Sequence, residues 1–163
     1  MTPIFTIRPA VPADIPSVLR LVRALAEYER MLHEVTATDL HEALFGPLPR
    51  AHAVLADVDG DPVGLALFYY TLNTFKLQPN IFLEDLFVDP AHRGSGIGLA
   101  LMRHLAQRAV AENCGRVEWR VLNWNQPSID FYHRLGAQPI QNWHTLLLGG
   151  DALVSLAEGT SHG

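Results

Sequence analysis

The sequence predicts a mixed α+β fold in which a central, mostly antiparallel sheet carries helices on both faces. Three observations predict it. Apolar residues recur at helical spacing over 15–26 and again over 98–113. Two apolar runs, 53–58 and 63–70, flank Asp59-Gly60, the pairing that marks a tight hairpin between antiparallel strands. Further on, β-rich runs at 81–88 and 117–121 are linked by the second of those helices.

Taken in order, residues 4–8 form a short β-rich run ended by Pro9, a first strand. Ile15, Val18, Leu19, Val22, Leu25 and Ala26 then line one helical face, with Ser17, Arg20, Arg23 and Glu27 on the other, and this helix closes around residues 28–30. A shorter helix is expected from a Thr36 or Thr38 cap to Phe45, before Gly46-Pro47 stops it. After the hairpin, residues 81–88 give a central strand and 98–113 a helix that buries Leu101, Met102, Leu105 and Ala109, with Gly115 ending it. Val117, Trp119 and Val121 alternate with Glu118 and Arg120 as a further strand. Residues 125–135 read as a short helix closed by Gly136. Two weaker strands are expected near 137–141 and 143–148, then a turn of helix from Asp151 and a loose tail over 158–163. No linker-like run divides the chain, so one domain over 1–163 is the expectation.

Composition narrows the function classes. With 48% hydrophobic and 18% charged residues the chain is of ordinary globular type. Its net charge of −5 argues against nucleic acid or an anionic membrane as partner and suits a cationic substrate. Cys114 is the one cysteine, so no intramolecular disulfide is possible, and a cytoplasmic location is expected. The opening residues carry no basic region followed by an apolar core, and no 18-residue apolar run follows, so neither export nor membrane insertion is expected.

Residues 83–102 carry the densest chemistry. An apolar strand with two adjacent acids, Glu84 and Asp85, runs through Asp89-Pro90 into a glycine-rich turn that opens an amphipathic helix. The first N–H groups of a helix lack intrahelical partners and sit at the positive end of its dipole, so the turn is suited to a phosphate. Gly94, Gly96 and Gly98 let the backbone come close, and Arg93 supplies a fixed charge. The glycine spacing fails the dinucleotide fingerprint, and the chain has no Gly-Lys pair for a P-loop. What matches is R-x-x-G-x-G, at Arg93, Gly96 and Gly98. Because neighbours in a strand face opposite ways, at least one of Glu84 and Asp85 is expected to be aimed at the buried side unless a bulge intervenes.

A second constellation follows at 123–137. Asn125, Ser128, Phe131, Tyr132, Gly136 and Ala137 fit the pattern N-x-x-[AS]-x-x-[FL]-Y-x-x-x-G-[FA]. With R-x-x-G-x-G placed between strand and helix upstream, the chain resembles the GNAT superfamily of N-acetyltransferases. Ile-Arg-Pro-Ala at 7–10, Leu-Ala-Glu-Tyr-Glu at 25–29, Phe-Leu-Glu-Asp-Leu-Phe-Val at 82–88, Arg-Gly-Ser-Gly-Ile-Gly at 93–98 and Trp-Asn-Gln-Pro-Ser-Ile-Asp-Phe-Tyr at 124–132 narrow the likeness to the diamine (spermidine/spermine) and thialysine acetyltransferase group.

That resemblance implies a GNAT-like fold, acetyl-CoA as acyl donor and a homodimer. By the same likeness Leu86, Phe87 and Val88 bind the acyl-pantetheine through backbone groups. Gly94, Ser95, Gly96, Ile97, Gly98 and Leu99 hold the pyrophosphate with Arg93 beside them, and Asn125, Gln126, Pro127 and Ser128 meet the pantetheine. Tyr28, Glu29, Glu84, Asp85, Glu118, Trp119 and Arg120 line the amine side, and the Tyr132 hydroxyl protonates the departing thiolate. One departure bears on the acceptor: where the polyamine enzymes carry an acidic pair before the tryptophan matching Trp143, this chain has Gln141-Asn142 and is one residue shorter. Fewer carboxylates there favour a short diamine, thialysine or an amino-acid side chain over a long polyamine.

The eight histidines, His33, His41, His52, His92, His104, His133, His144 and His162, are scattered without metal-ligand spacing, so no metal is expected. A primary ammonium near pKa ~10.4 must lose a proton before it attacks a thioester. The expected reaction is direct transfer, with Glu84 taking that proton through water and strand N–H groups polarising the carbonyl. Two other readings fit the same motifs: an acetyltransferase acting on a protein N-terminus or lysine, and a CoA-binding module without turnover.

Overall fold

The structure, a computed structural model, describes residues 4–160. They fall into two compact units with a boundary between Leu122 and Asn123, and each is described by itself.

The first unit is built on a five-stranded sheet in the order β1-β2-β3-β4-β5, comprising β1 (Phe5–Pro9), β2 (His52–Val58), β3 (Asp61–Asn73), β4 (Gln78–Val88) and β5 (Val117–Trp119). All pairings are antiparallel except β4 with β5. Asp59 (φ 52°) and Gly60 (φ 86°) both take the left-handed conformation that a two-residue hairpin turn requires, so the Asp-Gly signal located the β2–β3 turn correctly. β4 is an interior strand but not the middle one, which is β3.

Among the described residues this unit also holds the α-helices α1 (Ile15–Glu29), α2 (Ala37–Phe45) and α3 (Ile97–Ala111). Thr36 caps α2, its hydroxyl accepting from the Asp39 N–H. Ile15, Val18, Leu21 and Leu25 of α1 and Leu40 and Leu44 of α2 form one core layer with Leu55, Leu65, Leu67 and Phe87 of the sheet. Each fully buried leucine contributes roughly 1.5–3 kcal/mol through burial. Arg8 ties the start of this layer together, paired with both Asp14 ahead of α1 and Asp57 of β2, and holds the Asp14 carboxyl below its usual range.

On the α3 side the packing is closer. Gly64 of β3 has room for no side chain, since a Cβ there would lie 2.9 Å from Ile97 Cγ2 and 3.1 Å from the Ala56 Cβ. The first turn of α3 therefore rests on bare backbone of the sheet. At its other end α3 stops at Ala111, and it is Asn113 (φ 54°), not Gly115, that takes the left-handed conformation. Gly115 answers a different constraint: a Cβ there would sit 2.8 Å from Asn80 Oδ1 and 3.0 Å from Gln78 Oε1, where the chain passes the start of β4.

The second unit contains α4 (Gln126–Arg134) and α5 (Gly150–Ala157). Asn125 caps α4, with its Oδ1 accepting the Ser128 N–H at 3.4 Å, and Gly136 (φ 89°) ends the turn after it as expected. The strands expected near 137–141 and 143–148 do not form among the described residues. Apolar content there gave a β-like pattern, but a strand exists through its hydrogen-bonded neighbour, and Asn142 (φ 65°) interrupts the extended course between the two runs.

Candidate active site

The two acids of β4 are placed by a bulge. Leu67 of β3 pairs with Asp85 and Phe68 with Leu83, leaving Glu84 as the extra residue. Paired residues share a face, so Asp85 points with Leu67 and Phe87 toward the α1 layer, whereas Leu83 points with Phe68 toward the other side. Glu84 accepts the Tyr69 hydroxyl at 3.1 Å, and Tyr69 lies two residues on from Leu67 on the same face. The bulge thus turns both acids toward one side, where simple alternation would have split them.

Their environments differ. Asp85 is largely buried, and this burial, followed by the charges of Glu84 and Glu29, pushes its carboxyl up to about 6. Glu84 stays partly exposed, with its carboxylate 3.6 Å from the Arg120 guanidinium. Glu29, the last residue of α1, is itself raised by burial. Beside Glu84 the Tyr69 and Phe82 rings stack at 5.2 Å, and Arg120 lies 5.4 Å over Phe82. Glu118, paired in register with Phe82, is bound to Arg116 at 3.0 Å.

β4 then delivers the chain into the glycine turn. The Asp89 N–H donates to Val63 O at 2.8 Å, and a short 3-10 turn, Pro90–His92, leads to Arg93. Gly94 (φ 77°) and Gly96 (φ 89°) both take left-handed backbone, so glycine is required there by conformation and not by crowding. The Ser95 hydroxyl closes the turn on the His92 carbonyl. With α3 starting at Ile97, the N–H groups of Ile97, Gly98 and Leu99 have no intrahelical acceptor and occupy the positive end of its dipole. Arg93 sits at the entrance: its Nε donates to Val88 O at 3.0 Å, and its guanidinium lies over the rings of Tyr28 (4.9 Å) and Phe87 (5.5 Å).

Among the described residues, Leu86, Phe87 and Val88 are paired on one edge only, with β3. The β4–β5 ladder among the described residues comprises Ile81↔Val117, Phe82↔Glu118 and Leu83↔Trp119, and the strand from Glu84 onward runs beyond it. This is the geometry in which an extended chain can hydrogen-bond to a strand edge.

Arg20, Tyr69 and Gly64 were not singled out from the sequence. Arg20 joins α1 to the loop, donating to Pro62 O and to Asp89 at 3.1 Å, which holds the residue that starts the turn. Nothing in sequence spacing pairs residues 69 positions apart, and Tyr69 meets Glu84 only because of the bulged register. In the second unit, the α4 sequence seats Asn125 at the cap, Gln126, Pro127 and Ser128 in the first turn, and Tyr132 beside Phe131 with ring centroids 5.3 Å apart. No group of three His, Cys, Asp or Glu among the described residues is arranged to hold a metal. No described helix is long and apolar enough to cross a membrane.

An acid-bearing strand thus runs into a glycine turn and a helix within a mixed five-stranded sheet. An integron cassette protein from the mobile metagenome of V. cholerae superposes on this chain with a TM-score of 0.81 at 26% identity, covering 97% of this chain and 99% of its own. The family described as Acetyltransferase (GNAT) matches residues 19–137. A thialysine N-epsilon-acetyltransferase of Bos taurus is 37% identical, covering 93% of this chain and 96% of its own. The spermidine/spermine N(1)-acetyltransferase-like protein 1 of Homo sapiens is 33% identical over 94% of this chain, which spans 24% of that protein. The chain belongs to the GNAT acetyltransferase family, whose members use acetyl-CoA.

Proposed function

We propose that the protein transfers the acetyl group of acetyl-CoA to the primary amine of a small acceptor, a short diamine or a thialysine-like amino acid, by direct attack. The observation that carries this reading is the bulge that presents Glu84 and Asp85 to one side of the strand leading into the glycine turn. An ammonium is drawn to the two carboxylates, and Glu84, the more exposed, takes its proton through water. Backbone groups of Leu86, Phe87 and Val88 hold the pantetheine and polarise the thioester carbonyl. The N–H groups from Gly94 to Leu99 hold the pyrophosphate. Arg93, by bracing the strand's end against Tyr28 and Phe87, fixes the loop's entry.

Asn125, Gln126, Pro127 and Ser128 contribute to pantetheine binding and Tyr132 protonates the thiolate; the match of these residues to the family motif supports those roles. The family match runs from 19 to 137, across the boundary between the two units, which supports their acting as one acetyltransferase domain. A cytoplasmic homodimer is part of the same reading. The relatives' names include both thialysine and spermidine/spermine, and the Gln141-Asn142 departure favours the shorter acceptors.

The test is incubation with acetyl-CoA and a panel of small primary amines, spermine and a lysine peptide, following thiol release and the mass of the product. Acetylated small amine is expected, with turnover lower by about 10²–10⁴ in Tyr132→Phe while acetyl-CoA binding is kept. Acetylation of the peptide alone would assign a macromolecular acceptor. Tight CoA binding without any turnover would leave a binding module.

A further inference from the structure

Arg120 occupies the place beside Glu84 that a cationic acceptor is drawn to. Its guanidinium stands 3.6 Å from Glu84 Oε1 and 5.4 Å over the Phe82 ring, so an aromatic face and a carboxylate already hold one positive charge there. The pair is loose: the contact is longer than a charge-assisted hydrogen bond, and the Arg120 side chain is 66% exposed. An ammonium approaching Glu84 therefore competes with Arg120, and the guanidinium it releases needs an anion. The neighbouring carboxylates do not meet that need, because Glu118 is bound to Arg116 and Asp85, though turned to the same side as Glu84, is largely buried beside Leu67.

The two kinds of acceptor differ in what they bring to this charge. A diamine brings a second ammonium, which Arg120 repels. An amino acid brings a carboxylate, whose two oxygens match the planar fork of a guanidinium. Resting on the amine-acetyltransferase reading above, we propose that Arg120 is a specificity-determining residue that binds the α-carboxylate of the acceptor. On that assignment the preferred substrate is a zwitterionic amino acid acetylated on its side-chain amine, ahead of the diamine of the same reach.

Matched pairs that differ only by the carboxylate test this: ornithine against putrescine, and lysine against cadaverine. Each is assayed for kcat and KM with the wild-type protein, Arg120→Gln and Arg120→Lys, after acetyl-CoA binding has shown the variants to be folded. For the wild type, kcat/KM is expected to favour the amino acid by about 10-fold or more in each pair. In Arg120→Gln the amino-acid value falls roughly 10- to 100-fold through KM, while the diamine value rises as the competing cation is removed, so the preference collapses or reverses. Arg120→Lys, which keeps charge without the fork, recovers only part of it. A wild-type preference for the diamines, or an equal fall for both members of a pair in Arg120→Gln, overturns the carboxylate assignment and leaves the amine reading standing. Failure of the wild type to acetylate either member of any pair defeats the amine reading itself.

Discussion

Burial and the nearby charges of Glu84 and Glu29 raise the carboxyl of Asp85. Its carboxyl lies at about 6 in the folded protein, against 3.8 for an unperturbed aspartate, so the folded state binds this proton more tightly than the unfolded state does. The cost of ionising it is therefore absent below the unfolded value, grows as pH rises, and is fully present above about 6. Ionising Asp85 in its buried setting costs on the order of 3 kcal/mol of stability at neutral pH. Asp85→Asn is expected to raise stability relative to wild type more at about pH 7.5 than at about pH 4.5, read by urea unfolding. If ionised Asp85 attracts the ammonium, the rise of kcat/KM through about pH 6 also disappears in the variant. An unchanged stability difference at the two pH values would mean that Asp85 is well solvated. In the sequence, two consecutive acids in an apolar strand already marked this position as unusual. What the residues could not announce was the bulge, because register depends on how β3 and β4 pair, and with it went the Tyr69 contact and the shared orientation of the acids.

At the scale of elements, the glycine turn is held by parts far apart in the chain. Arg20 of α1 holds Asp89, Arg93 reaches back to Val88, and Gly64 lets the first turn of α3 settle on the sheet. Gly64→Ala is the sharpest probe of that last contact, since its Cβ would meet Ile97 and Ala56 at distances that force α3 to shift. A loss of roughly 1–3 kcal/mol in stability is expected, together with weaker CoA binding by calorimetry, because Ile97 is the first residue of the helix whose N–H groups are proposed to hold the phosphate. Full stability would show that the layer relaxes easily; reduced stability with unaltered CoA affinity would separate the packing from the loop. Helices with strong periodicity and local caps were legible in the sequence: α1, α2 with its Thr36 cap, and α4 between Asn125 and Gly136. The 137–148 strands were not, since they rested on apolar content alone, and Gly115 was assigned to helix termination when close approach to Asn80 and Gln78 accounts for it.

For the whole molecule, the succession of strands and helices as far as α4 was legible because the hairpin signal and helical periods marked it, whereas the place of β4 within the sheet was not, and the GNAT motifs placed the chain in a family. The choice of acceptor is finer than a motif: on the proposed reading it depends on charges that meet across the sheet, where Glu84 of β4 and Arg120 just past β5 come together from separate segments. In the proposed reaction the acetyl group passes directly from acetyl-CoA to an amine, with no acetylated protein between them. Initial velocities measured while acetyl-CoA and a turned-over amine are both varied test this most directly. Intersecting double-reciprocal lines are predicted, with no acetylated form of the chain by intact mass after incubation with acetyl-CoA alone. Parallel lines accompanied by an acetyl adduct on the protein would contradict it.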